Sequence, residues 1–140
     1  MILLFLALTL PARVSAQDAR TGGDRQESGF SLGQNYPNPF NPETRIPFEL
    51  GPQLFVDGRP AVVSIRIYNA LLQYVAAPTA LGHPAGDGTR VIELEYTQPG
   101  RYEAYWDGRD ARGRTVASGV YLLRMTVNGR SVLKKIIVSK

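Results

Sequence analysis

The 140-residue chain contains no cysteine. Disulfide staples, thiolate catalysis and zinc–thiolate sites are therefore excluded, and stability must come from a hydrophobic core. There is one histidine, His83, in the segment Leu81-Gly82-His83-Pro84. A catalytic base needs a positioned nucleophile and an orienting group, and neither stands near it in sequence. No apolar run reaches the ~18 residues of a membrane-crossing helix, so no integral span is expected. Phosphate loops, nucleophile elbows and metal-ligand motifs are missing too, so neither a catalytic site nor a cofactor is expected. The surplus of 16 Lys+Arg over 12 Asp+Glu is small. A net charge of +4 spread along the chain speaks of solubility before nucleic acid.

What remains is ordinary for one globular domain: 44% hydrophobic and 20% charged residues. Met1 to Leu10 is a short apolar run, followed by Val14-Ser15-Ala16. Although no Lys or Arg precedes it, the run and the small residue before Gln17 match a secretory signal peptide over residues 1–16. Residues 17–29 (QDARTGGDRQESG) hold no aliphatic side chain larger than Ala. Such a stretch buries too little to offset its ordering entropy and reads as a flexible linker. The folded domain is expected over 30–140.

That domain shows two-residue alternation. Ile46, Phe48 and Leu50 alternate with Pro47 and Glu49, and Val63, Ile65 and Ile67 with Ser64, Arg66 and Tyr68. The same pattern runs through Ile92–Tyr96 and Tyr121–Val127. Each run offers one apolar face, as half-buried antiparallel strands do. Shorter runs at Gln73–Ala77, Arg101–Trp106 and Ser131–Ser139 bring the total to about seven strands, punctuated by Gly, Pro and Asn. Asn128-Gly129 has the composition of a two-residue type I′ hairpin. The pattern predicts an all-β, immunoglobulin-like antiparallel β-sandwich, with a small barrel as the alternative. Two segments fall outside it. Asn35 to Pro42, with Pro at 37, 39 and 42, reads as a stiff polyproline-like arm with Asn-made turns. Pro78 to Thr89 reads as a long loop without strand character.

Candidate chemistry is sparse. Asp107-Gly108-Arg109-Asp110 lacks the oxygen spacing of a calcium loop, and a turn capped by Asp side chains is the simpler account. Glu93, Glu95 and Glu103 fall on polar strand faces. Lys134, Lys135 and Lys140 make the last strand basic. Nucleic-acid binding would need a larger cluster interleaved with exposed aromatics. Lysines on a terminal strand instead guard an edge or mark a recognition tag. Trp106, Tyr102 and Tyr105 have the rings to stack on sugars, yet aromatics on a sandwich strand are more often core.

Several stretches together resemble a known family. Tyr36-Pro37-Asn38-Pro39-Phe40-Asn41-Pro42 with Arg45-Ile46-Pro47-Phe48 is similar to the opening of the C-terminal sorting domain of bacterial type IX secretion cargo. So are Ile65-Arg66-Ile67-Tyr68-Asn69, Trp106-Asp107-Gly108, Gly119-Val120-Tyr121 and the closing Lys134-Lys135-Ile136-Ile137-Val138. The pattern is shared with the Ig-like domain of the flagellar hook-capping protein. This chain departs from it at Leu72-Gln73, where the family has Gly-Gln, and has a longer Pro78–Pro99 segment. The resemblance implies a non-catalytic module that directs an exported protein across the outer membrane through secretion machinery, with cell-surface attachment or release. It implies that the closing strand is what the machinery reads, with Lys134, Lys135 and Lys140 at the matching positions. Two rival readings remain: a stand-alone subunit of an extracellular or hook-cap-like scaffold, and a carbohydrate-binding module using Trp106 and Tyr105.

Overall fold

The computed structural model describes residues 29–140. The expected signal peptide and nearly all of the expected linker lie outside the described residues. Gly29, the linker's last residue, is buried, and its carbonyl accepts the Gly51 N–H at 2.7 Å.

Nine strands form two antiparallel sheets packed face to face. β1 (Phe30–Leu32), β2 (Thr44–Leu50), β7 (Gly100–Trp106) and β5 (Thr79–Leu81) make one sheet in the order β1-β2-β7-β5. The other runs β4-β3-β8-β9, from β4 (Tyr74–Ala76), β3 (Ala61–Asn69), β8 (Gly119–Val127) and β9 (Arg130–Val138). The short β6 (Leu94–Tyr96) pairs with the start of β3. A single 3-10 turn, Pro52–Phe55, is the sole helical element among the described residues. The immunoglobulin-like sandwich is thus the observed fold. The strand count rises from seven to nine because β1 and β5 have three residues each, too few to show alternation.

The core follows the parity expected. Ile46, Phe48 and Leu50 face Ile65, Ile67, Leu123 and Met125, all buried. Burial of each such side chain is worth about 1.5–3 kcal/mol. At the β8–β9 hairpin both Asn128 (φ 49°) and Gly129 (φ 86°) are left-handed, closing Val127 against Arg130 as a type I′ turn does.

Two expectations need correction. The 78–89 segment contains β5, whose Ala80 is buried against β7. The Pro-rich segment is not a projecting arm. Tyr36 bridges back to Arg45 of β2, and Phe40 bridges in parallel to Val138 of β9. Phe40 is drawn inward because its ring completes the apolar core at that end of the sandwich.

Candidate functional site

The resemblance residues, scattered between positions 36 and 121, converge at one end of the sandwich. Phe40 is buried and meets Trp106 edge-on, with ring centroids 5.4 Å apart. Trp106 in turn meets Tyr121 at 5.9 Å. The Trp106 indole N–H donates to the Arg109 carbonyl (2.9 Å), and the Tyr121 hydroxyl to the Ala117 carbonyl (2.7 Å). Each buried polar tip therefore has a partner. Gly108 sits at φ 76° with its Cα side turned to the Pro42 carbonyl. A β-carbon there would lie 2.1 Å from that oxygen, so this close approach requires glycine.

The Pro-rich loop is held from below by a buried polar network. The Asn35 amide donates to Thr44 Oγ1 (3.1 Å) and the Pro37 carbonyl (3.2 Å). At its tip the loop grips the closing strand. The Phe40 N–H donates to Ile137 O (3.1 Å), the Ser139 N–H to Phe40 O (3.0 Å), and the Ile137 N–H to Asn38 Oδ1 (3.3 Å). The Lys140 N–H donates to Ser118 Oγ at 3.1 Å. The roles of Asn38 and Ser118 as acceptors for the last strand carry no sequence signal, because their partners lie far along the chain.

β9 is a sheet edge. Residues 130, 132, 134, 136 and 138 face β8 with their backbone groups, since Val127–Arg130 closes the hairpin and parity repeats every two residues. Ile137 faces the Pro-rich loop, leaving the backbone of Ser131, Leu133 and Lys135 turned outward without a β-partner among the described residues. The expectation of an open ribbon is corrected accordingly: among the described residues its last third is covered by the Pro-rich loop and only the part before it is open.

The three lysines are not one cluster. Lys134 is half-buried, and its ammonium donates to the Leu32 carbonyl at 3.2 Å, spanning the seam between β9 and β1. Lys135 points to the outer face and Lys140 lies at the end; both are exposed.

The other candidates take structural roles. Asp107 Oδ1 accepts the Arg109 N–H, and Asp110 Oδ1 accepts the N–H groups of Arg114 and Arg112. The backbone hydrogen bond from Arg114, with that from Arg112, holds the Asp110 carboxyl below its ordinary range. No group of three or more His, Asp or Glu among the described residues is placed to hold a metal ion. His83 Nδ1 accepts the Ala85 N–H at 2.9 Å, which leaves Nε2–H to donate to the Glu95 carbonyl at 2.8 Å. The ring also packs edge-on against Tyr96, so it pins the 82–85 loop. Burial pushes the Tyr96 phenol up to about 12. Glu93 and Glu95 are exposed, and Glu103 accepts the Tyr36 hydroxyl. That hydrogen bond raises the Tyr36 phenol, as the bond to Glu43 raises Tyr105. Trp106, 2% exposed, cannot offer a face to a sugar, so the carbohydrate reading loses its main ring. No helix among the described residues is long and apolar enough to cross a membrane.

No family model and no curated protein matches the sequence. Two solved structures are similar in fold. Dimeric latent PorU from Porphyromonas gingivalis matches with a TM-score of 0.50 and 21% identity, over 78% of this chain and 9% of that one. PorZ, a surface component of the type-IX secretion system of the same organism, matches with a TM-score of 0.45 and 20% identity, over 86% and 13%. This chain therefore spans only a small part of either protein. The likeness to PorU is one of fold, and neither match is to a hook-capping protein.

Proposed function

We propose that the chain is a non-catalytic sorting and cell-surface attachment module of an exported protein, read by outer-membrane secretion machinery through its closing strand. The observation that carries this reading is the grip of the Pro-rich loop on the last third of β9. Trp106 and Gly108 seat the loop that carries Asn38 and Phe40, and these two residues of the resemblance motif hold that strand. Its exposed lysines and the outward backbone of Ser131, Leu133 and Lys135 are what a receptor would meet. Strand addition at an edge supplies main-chain hydrogen bonds, and side chains beside it supply selectivity. The reading narrows the recognition residues to Lys135 and Lys140, since Lys134 is occupied at the seam.

Deleting 131–140 would not test this cleanly, because Ile136 and Val138 belong to the core. The test is Lys135→Glu with Lys140→Glu in the full chain, expressed in a host with a type IX system. Protease accessibility on intact cells is expected to fall while circular dichroism of the purified variant stays that of the parent. Surface delivery equal to the parent's would remove the lysines from the recognition step. The open part of the β9 edge also suits the scaffold reading, and a stable polymer on size exclusion would favour it.

A further inference from the structure

The β3–β4 turn displays two leucines that the core does not use. Leu71 is 79% and Leu72 66% exposed. Leu72 is also left-handed, at φ 61°, a conformation that costs a non-glycine residue free energy. The turn is not loose. Asn69 Oδ1 accepts the N–H groups of Leu71 (3.0 Å) and Gln73 (2.9 Å), its amide donates to Gln73 Oε1 (2.8 Å), and its carbonyl accepts the Leu72 N–H (2.9 Å). An exposed apolar pair is thus held rigidly in a strained shape with no internal return.

Directly behind the tip, Tyr68 and Tyr74 face each other across β3 and β4 with ring centroids 6.2 Å apart, and Tyr74 is exposed. Arg66 follows on the same face, about 7 Å further back at the rise of a strand. Register places Leu122 and then Lys135 beside Tyr68, and Arg124 beside Arg66. On this outer face β3, β8 and β9 carry Arg66, Arg124 and Lys135, and the nearest strand carboxylate, Glu95 of β6, lies beside Val62, further from the tip than Arg66. The order from the tip is therefore aliphatic, tyrosine, cation. A bilayer presents matching layers: acyl chains, the interface where tyrosines collect, and phosphates.

We infer that this end of the sandwich docks on an anionic lipid surface, with Leu71 and Leu72 entering the acyl boundary. A second copy of the chain is a poor occupant, because the face would set cation against cation. The inference stands independently of the sorting role.

The cysteine-free chain allows a direct test. Leu71→Cys carries an environment-sensitive fluorophore, and Val56→Cys, in the exposed 3-10 region at the opposite end, carries the same label as a control. With phosphatidylcholine–phosphatidylglycerol vesicles, the label at 71 is expected to shift to the blue and the label at 56 to stay unchanged. Arg66→Gln with Lys135→Gln should weaken vesicle affinity about tenfold or more, at about 1 kcal/mol per cation near the surface. Leu72→Gly should also weaken it, while its urea midpoint stays at or above the parent's, since glycine adopts that φ freely. The inference is overturned by an unmoved label at 71, by an equal shift at 56, by an equal response to phosphatidylcholine alone, or by full affinity in the charge variant.

Discussion

Gly108→Ala probes the joint between the Pro-rich loop and the Trp106 turn, and Gly113→Ala is its control. Both glycines are left-handed, at φ 76° and 84°. A β-carbon at Gly113 meets nothing within 4 Å, whereas at Gly108 it would stand 2.1 Å from the Pro42 carbonyl oxygen. The control is expected to lose only the conformational term, about 1 kcal/mol. Gly108→Ala must also push the loop away. That loosens the two Phe40 backbone hydrogen bonds to Ile137 and Ser139, worth about 1 kcal/mol each, and uncovers part of a buried Phe. The expected total is about 3–5 kcal/mol. At about 4 °C per kcal/mol for a domain of this size, the melting temperature falls by about 12 °C or more. Trp106, the only tryptophan, touches Phe40 and reports the transition by fluorescence in urea. Variants within about 0.5 kcal/mol of each other would refute the contact, because conformation alone would then explain both.

Three further outcomes are expected. His83→Ala removes a ring that ties the Ala85 N–H of its own loop to the Glu95 carbonyl of β6, and amide exchange at Ala85 should quicken while global stability falls by only about 1–2 kcal/mol. Asn128→Ala forces alanine into a left-handed turn and deletes the acceptor for the Val62 N–H; a loss of about 1–2 kcal/mol in urea unfolding is expected. Tyr96, at about 12 when folded against an ordinary 10.0, keeps its proton longer in the native state than in the unfolded one. Its contribution to stability is complete below pH 10 and declines as pH rises from about 10 to 12. Tyr96→Phe should flatten that decline.

Strand identity was legible at Ile46–Leu50, Val63–Ile67 and Tyr121–Val127, which all bury the face their pattern assigns, whereas the Ile92–Tyr96 run shortens to Leu94–Tyr96 because the left-handed Glu93 (φ 45°) breaks it. β5 was hidden because Thr79–Leu81 lies between Pro78 and Gly82, which read as loop. The Asp107–Asp110 turn was readable from composition, since an Asp side chain caps its own neighbours. The candidate recognition strand was readable only as a basic terminus. Nothing local separates Lys134 from Lys135, yet one spans a seam and the other faces outward.

By itself the sequence determined the elements whose causes are local: side-chain parity, the left-handed Asn128-Gly129 turn, and a core built without disulfides. Tertiary structure alone decided that Phe40 is a core residue rather than the tip of an arm, and that the last third of β9 is already occupied. Those outcomes rest on partners such as Asn38 and Ile137, 99 positions apart. A contact of that kind has no periodicity to betray it, because it exists only once both sheets have closed.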